Sequence, residues 1–147
     1  MPAPLQAIPE TAHRATGAAP APPVSVLIIE DSLFDQRMIQ RVLATALNPE
    51  QVSAVTTLED ARDLLQLHAV SLILLDNNLP DGKGADFVLE LARHPEWKDI
   101  PVIIVSDWPS PFMWQKARLA GVSRVVNKSD FTPEVILEVL RALDPVH

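Results

Sequence analysis

Five polar side chains stand at the ends of short predicted strands in this chain, and together they could carry out phosphoryl chemistry. They are an acidic pair, a single aspartate, a serine and a lysine: Glu30, Asp31, Asp76, Ser106 and Lys128. Crowded carboxylates repel one another and raise each other's pKa unless a hard cation neutralises them. Mg²⁺ binds one or two carboxylates together with water and phosphate oxygens. The residue types therefore predict a magnesium-dependent phosphoryl site.

Each residue type has a distinct task in such a site. An aspartate carboxylate can attack phosphorus as a nucleophile and form an acyl phosphate. The metal ion and the lysine neutralise charge on the phosphoryl oxygens, and a serine hydroxyl donates a hydrogen bond to one of them. Neither a GxxxxGK[ST] nor a GxGxxG loop occurs in the sequence, so we expect side chains and metal, rather than a glycine-rich backbone loop, to hold the phosphate.

Each of these residues also has an ordinary structural explanation when it is taken singly. Glu30 and Asp31 could favour a helix N-terminus, and Asp76 could be a turn residue. Ser106 could cap a helix, and a single lysine such as Lys128 is usually a solvated charge. The coincidence of four strand ends favours the functional interpretation.

The elements that position these residues alternate between short apolar runs and amphipathic segments, which is typical of βα units with strands covered on both faces. The predicted strands are 24–29, 52–56, 72–75, 102–105 and 124–127. Five helices are predicted. The first follows a Ser32 cap, the second runs from a Thr57 cap through His68, and the third covers 85–93. The fourth ends at Gly121, and the fifth runs from a Thr132 cap through Leu143 and ends before Pro145. This alternation predicts an α/β fold with a doubly wound, five-stranded parallel sheet, whose ligand site lies at the carboxyl ends of the strands.

The helical spacing also predicts which side chains of the first two helices face the core. The predicted apolar stripes are Phe34, Met38, Val42 and Ala46 on the first helix, and Leu58, Ala61, Leu64, Leu65 and His68 on the second.

Composition separates a tail from one folded domain and excludes several classes of function. Residues 1–23 hold six of the fourteen prolines and only two charged residues, which predicts a disordered Pro/Ala-rich tail ahead of a domain over 24–147. A net charge of -7 argues against nucleic-acid binding, and no apolar run approaches the ~20 residues of a membrane span. The chain has no cysteine, which excludes disulfides and fits the cytoplasmic location that we expect.

The motifs around the strand ends resemble those of a known family, the receiver domain of two-component response regulators. They are Ile28-Ile29-Glu30-Asp31, Leu74-Leu75-Asp76 followed by Leu79-Pro80 and Gly84, Pro101 through Ser106, and Ala120-Gly121 before Lys128. The resemblance covers Val24 to Leu143 and implies a flavodoxin-like (βα)5 fold. It also implies site roles: Asp76 as phosphoacceptor, Asp31 as direct Mg²⁺ ligand with Glu30 beside it, Asn78 as a backbone-carbonyl ligand, Ser106 as the switch hydroxyl, and Lys128 as the partner of the phosphoryl group.

Three positions depart from the pattern of that family. Asp107 follows the switch hydroxyl, where the family usually has a small residue, and its charge should disfavour phosphorylation unless the side chain turns outward or contacts the metal shell. Val125 stands where the family has a switch aromatic, so signalling must change the surface another way, through Trp108 or Phe112. Ser129 replaces the proline that follows the lysine, which removes the main reason for a cis peptide bond.

The resemblance implies a single-domain response regulator that takes a phosphoryl group from a histidine kinase or a histidine phosphotransfer protein. Such a receiver catalyses its own phosphorylation and dephosphorylation, with no independent substrate turnover expected. Its output would be a protein contact on the face between the fourth and fifth helices, or phosphate passed onward in a phosphorelay.

Two other interpretations remain open. In the first, the chain is an atypical receiver that binds its partner independently of phosphorylation, as Asp107, Val125 and Ser129 indicate. In the second, it is a phosphatase of the haloacid dehalogenase type. That class places its nucleophile on the first strand with a second aspartate two residues later, whereas here the acidic pair comes first and Asn78 occupies that later position.

Overall fold

A computed structural model describes residues 24–49 and 51–143. The predicted tail, residues 1–23, and Pro145 lie outside the described residues. The elements are β1 (Ser25–Ile29), α1 (Leu33–Ala46), β2 (Gln51–Val55), α2 (Leu58–Leu67), β3 (Leu72–Leu75), β4 (Asn78–Leu79), β5 (Gly82–Lys83), α3 (Gly84–Arg93), β6 (Val102–Ser106), α4 (Pro111–Ala120), β7 (Arg124–Asn127), a 3-10 helix (Lys128–Asp130) and α5 (Pro133–Ala142).

The main sheet has five parallel strands in the order β2-β1-β3-β6-β7, which confirms the predicted fold class. Ile29 pairs with Leu75, and Leu75 pairs with Ile104, so the three central strands run in register. The Asp76 backbone N–H continues this ladder by donating to the carbonyl of Ile29 at 2.9 Å. Because the strands are parallel and aligned, the residues that follow them emerge at one edge of the sheet.

Helices cover both faces of the sheet and enclose two apolar layers. One layer holds side chains of α2, α3 and α4, with Phe87 and Leu91 among them. The other layer holds side chains of α1 and α5, with Leu43 and Ile136 among them. The central strands are apolar except for the serine that begins β1 and the serine that ends β6, because both of their faces are buried. Burial of each large side chain contributes about 1.5–3 kcal/mol, which makes this sheet a rigid support for its carboxyl edge.

Local capping explains where several helices begin and end, largely as the sequence predicts. The hydroxyl of Ser32 accepts from the backbone N–H of Asp35, and that of Thr57 accepts from Asp60. Gly121 ends α4 with φ +76°, a left-handed conformation that favours glycine. Thr132 stands at the N-cap of α5, although its side chain makes no capping hydrogen bond. The β4–β5 hairpin and the 3-10 helix after β7 are not predicted from the sequence.

The predicted apolar stripe of α1 is wrong at its first position. Phe34 is 76% exposed, and the buried positions are Gln36, Ile39 and Leu43. Met38, Val42 and Ala46 pack only at the margin of the core. Apolar residues on two neighbouring stripes make the helical period ambiguous, and the approach of α1 from β1 decides between them.

On α2, the side chains of the predicted apolar stripe face the core except for the last one. Leu58, Ala61 and Leu65 are buried and Leu64 is partly buried, whereas His68 is exposed. His68 is the C-cap residue in extended conformation, so its side chain no longer follows the helical period.

No helix among the residues that the structure describes is long and apolar enough to cross a membrane.

Candidate functional site

Three carboxylates meet at the carboxyl edge of the sheet. Glu30 and Asp31 follow β1, Asp76 follows β3, and one oxygen atom of each lies within 4.8 Å of the others. Glu30 and Asp76 are buried, whereas Asp31 is exposed. Hard oxygen ligands with one side open to solvent suit a divalent cation that retains water molecules. The residues present therefore fit the predicted metal.

The Lys128 ammonium group lies among four carboxylates at this edge. Its Nζ atom is 2.7 Å from Asp35 Oδ2, 2.9 Å from Glu30 Oε1, and 3.7 Å from both Asp76 Oδ1 and Asp107 Oδ2. Only 9% of the Lys128 side chain is exposed. A buried lysine in this position compensates charges that would otherwise repel one another.

Burial and this charge cluster shift three pKa values. Desolvation raises the pKa of Glu30 to about 7, although contact with Lys128 opposes the shift. Burial also raises the pKa of Asp76 against the attraction of Lys128. Burial alone would lower the pKa of Lys128, but its hydrogen bonds to Asp35 and Glu30 and its attraction to Asp76 hold it above its ordinary value. The lysine is therefore charged, while the carboxyl of Glu30 retains a proton more readily than an exposed glutamate.

Ser106 ends β6 with a buried hydroxyl that has no hydrogen-bond partner among residues 24–49 and 51–143. The residue is 1% exposed. An unsatisfied buried polar group costs about 1–3 kcal/mol, so such a group in a native site indicates a ligand or a functional role. A hydroxyl at the edge that holds the carboxylates can donate to an oxygen of a bound anion.

The loop after Asp76 packs tightly against α3. The backbone N–H groups of Asn77 and Asn78 lower the pKa of the Asp76 carboxyl and so oppose the rise that burial causes. Gly84 donates its N–H to the Asn77 carbonyl at 2.8 Å, and a Cβ atom at Gly84 would collide with the Asp76 carbonyl. Glycine is therefore required here by a close backbone approach. Asn78 itself is exposed, and its side-chain oxygen accepts from Lys83 at 2.6 Å. Its role as a backbone-carbonyl metal ligand stays a prediction.

The three departures from the family pattern lie around the same edge. The Asp107 side chain is 63% exposed, so it faces solvent while remaining 3.7 Å from Lys128. Val125 is buried in the apolar layer of α2, α3 and α4. At this position the chain therefore has no aromatic side chain that could change its orientation on phosphorylation. Ser129 donates its backbone N–H to Asn127 Oδ1 at 2.9 Å, and no cis peptide bond occurs among the described residues.

Two residues of the site are not predicted from the sequence. Asp35 makes the shortest contact of Lys128, and Gln36 is buried with its amide donating to the Glu30 carbonyl at 2.6 Å. Both lie in the first turn of α1, which begins two residues after the acidic pair. An acidic residue in the first turn of a helix that follows a site-bearing strand is the signal that could have identified Asp35.

The family model of the response regulator receiver domain matches residues 26–141, and the chain belongs to this family. It is thus a receiver of two-component signalling, with a phosphoacceptor function. The chain is 32% identical to the response regulator Rcp1 of Synechocystis sp. over 92 residues, which are 58% of this chain and 63% of Rcp1, less than two thirds of that relative. It is 29% identical to a chemotaxis protein CheY homolog of Campylobacter jejuni over 118 residues, covering 80% of this chain and 89% of the homolog.

Solved structures agree with this family assignment and with a metal at the site. The Mn²⁺-bound form of Rcp1 superimposes with a TM-score of 0.67 at 26% identity, covering 85% of this chain and 98% of that chain. Receiver domains bind a divalent metal, and the carboxylates of Glu30, Asp31 and Asp76 are grouped as such a site requires.

Proposed function

We propose that Asp76 accepts a phosphoryl group from a phosphohistidine in a Mg²⁺-dependent reaction. The observation that carries the proposal is the convergence of the Glu30, Asp31 and Asp76 oxygens within 4.8 Å, with the Lys128 ammonium group beside them. The unpartnered hydroxyl of Ser106 at the same edge supports it.

In the proposed reaction, an Asp76 carboxylate oxygen attacks phosphorus. An oxygen–phosphorus bond forms, the phosphorus–nitrogen bond of the donor breaks, and the donor imidazole leaves with the electron pair and takes up a proton. Glu30, Asp31, Asp76 and the Asn78 carbonyl would hold Mg²⁺, which neutralises charge on the phosphoryl oxygens when bound. Lys128 and Ser106 contribute an ammonium group and a hydroxyl to the remaining oxygens.

The proposed donor is a histidine kinase or a histidine phosphotransfer protein, and the proposed location is the cytoplasm, where such a donor would present its phosphohistidine. The proposed output is a protein contact on the face between α4 and α5, or phosphate transfer onward. Exposed aromatic side chains on and before α4 support this surface: Trp108 is 86% exposed, Phe112 65% and Trp114 44%. Large exposed apolar groups of this kind mark protein contacts.

Intact-mass measurement after incubation with Mg²⁺ and acetyl phosphate tests the proposed function. We expect a single phosphoryl adduct, which peptide mapping assigns to the segment that contains Asp76. Chelation of Mg²⁺ should prevent the adduct. If acetyl phosphate and a phosphohistidine donor both leave the mass unchanged, the proposal is wrong.

Mg²⁺ binding is expected to strengthen as pH rises toward and through about 7. The raised pKa of Glu30 means that its carboxyl must lose a proton before the metal can use it, so affinity should fall by about tenfold per pH unit below that value. The Mg²⁺ affinity can be measured by tryptophan fluorescence during Mg²⁺ titration at about pH 5.5, 6.5, 7.5 and 8.5, which spans the pKa of Glu30. The variant Glu30→Gln should bind Mg²⁺ more weakly with a flatter pH profile, and an unchanged profile would contradict the assignment.

A second candidate function is partner binding that does not depend on phosphate. Val125 is buried where the switch aromatic of the family would move, and Asp107 already places a carboxylate near Lys128. If this function is correct, a captured partner binds wild type, Asp76→Asn and the beryllofluoride-treated protein with equal affinity. Different affinities for these three states favour the phosphorylation-dependent receiver.

A further inference from the structure

The Lys128 ammonium group is bound more closely by Asp35 than by the proposed phosphoacceptor. The Nζ atom donates a hydrogen bond to Asp35 Oδ2 at 2.7 Å, whereas Asp76 Oδ1 lies 3.7 Å away, beyond hydrogen-bond range. The pair joins residues 93 positions apart in sequence, across α1 and the 3-10 helix after β7. In the resting structure Asp35 therefore holds the lysine more closely than Asp76 does, and a phosphoryl group on Asp76 would bring additional anionic oxygens near the Nζ atom that compete with Asp35 for it.

Asp35 lies outside the three carboxylates that would bind the metal. A divalent cation among Glu30, Asp31 and Asp76 would weaken the contact between Lys128 and Glu30, because two cations would then share one carboxylate. Asp35 is not among these three carboxylates, so a bound metal would not compete with Lys128 for it. The Asp35 side chain is 23% exposed, which keeps this ion pair only partly screened by solvent.

We infer that Asp35 is a positioning residue that retains Lys128 on α1 in the unphosphorylated state and releases it when the phosphoryl group on Asp76 attracts the lysine. This inference rests on the proposed function of Asp76. It has a structural consequence, because Asp35 belongs to the first turn of α1. Loss of its partner on phosphorylation alters the start of α1, which connects the site to the layer that α1 shares with α5.

The side chain of Asp35 can be changed without removing the cap of α1. The backbone N–H of Asp35 donates to Ser32 Oγ at 3.2 Å, while its carboxylate contacts Lys128. Asparagine keeps the shape and the backbone donor but removes the charge. Asp86→Asn is a matched control, since Asp86 lies in the first turn of α3 and pairs with another lysine, Lys116.

The test compares wild type, Asp35→Asn and Asp86→Asn in the presence of Mg²⁺, with beryllofluoride as the probe that mimics the phosphoryl group. NMR of the Lys128 ammonium group reports its surroundings, and amide hydrogen exchange reports the first turn of α1. In wild type, beryllofluoride should shift the Lys128 signal and change exchange at the amides of Asp35 and Gln36. In Asp35→Asn without beryllofluoride, the Lys128 signal should already be close to its position in beryllofluoride-bound wild type. Beryllofluoride should then no longer change amide exchange in the first turn of α1. The affinity for beryllofluoride should rise by about five- to thirtyfold.

The outcomes separate this inference from the proposed function. If wild type responds to beryllofluoride and Asp35→Asn gives the same resting Lys128 signal and the same affinity as Asp86→Asn, the role of Asp35 is refuted while the proposed function stands. If wild type gives no response and resembles Asp76→Asn, the proposed function fails and the inference fails with it. Lower affinity in Asp35→Asn would also overturn the inference, because it would mean that Asp35 assists the phosphoryl contact.

Discussion

Asp76→Asn is expected to abolish phosphorylation of this chain. Asparagine has nearly the same shape as aspartate, but its amide cannot form an acyl phosphate, so intact mass after treatment with acetyl phosphate and Mg²⁺ should show no adduct. Asp81→Asn serves as a control. Asp81 is exposed, and its carboxylate accepts from the N–H groups of Leu58 and Glu59 at the start of α2 rather than from Lys128. A phosphoryl adduct of undiminished yield in Asp76→Asn would place the acceptor elsewhere.

Asp76→Asn should also be more stable to denaturant than wild type at neutral pH. The pKa of Asp76 is raised by burial, so the folded state holds its proton more tightly than the unfolded state does. A raised carboxyl pKa destabilises the fold above the unfolded pKa, and this penalty disappears at acid pH. The neutral amide of the Asp76→Asn variant carries no such penalty, so urea unfolding should show a gain at pH 7 that diminishes as the pH falls. A gain that is larger at acid pH would contradict this explanation.

Lys128→Gln is expected to lower the free energy of unfolding by about 3–5 kcal/mol, the usual effect of removing one partner from a buried ion pair. The lysine contacts the carboxylates of Glu30 and Asp35 and lies near that of Asp76, and glutamine would leave all three without a cation. Equilibrium urea unfolding at pH 8 measures the loss. Phosphorylation should also slow, since no ammonium group would remain to stabilise the transferred phosphoryl group.

The pH and metal dependence distinguish this electrostatic effect from a packing defect. Glu30 has a raised pKa of about 7, so it takes up a proton as pH falls below that value and its need for a cation disappears. The destabilisation by Lys128→Gln should therefore shrink from pH 8 to pH 5, and Mg²⁺ at pH 8 should restore part of the stability. Lys116→Gln is the control, because its pair with the 57% exposed Asp86 contributes about 0–1 kcal/mol. Equal losses in both variants at every pH would refute the role given to Lys128.

The continuous apolar runs determine the fold of this chain almost completely. The five strands of the main sheet and the five α-helices follow from short aliphatic segments that alternate with amphipathic ones, and their predicted bounds differ from the observed ones by at most one residue. Two-sided burial makes the interior of the central strands aliphatic, so a polar residue at or just after a strand end is conspicuous in the sequence. For this reason sequence reasoning alone identifies Glu30, Asp31, Asp76, Ser106 and Lys128 as candidate site residues.

The buried face of α1 does not follow from the helical period alone. On α1 the side chains of Phe34, Met38 and Ile39 are all apolar, and the period alone does not show that Ile39 faces inward while Phe34 is exposed. The direction in which the chain leaves β1 selects the face, and that direction depends on how α1 packs beside α5 against the sheet.

The strand-end residues of the carboxyl edge follow from the sequence, because parallel strands of a doubly wound sheet bring their ends together whatever the side chains are. The pairing of the charges at this edge, by contrast, depends on how distant elements pack together. Asp35 and Lys128 are 93 residues apart, and their contact at 2.7 Å joins the first turn of α1 to the 3-10 helix after β7, which no local pattern indicates. The positions of the strands follow from the periodicity of the chain, whereas the partner of a buried charge is fixed by distances that exist only after the layers have packed.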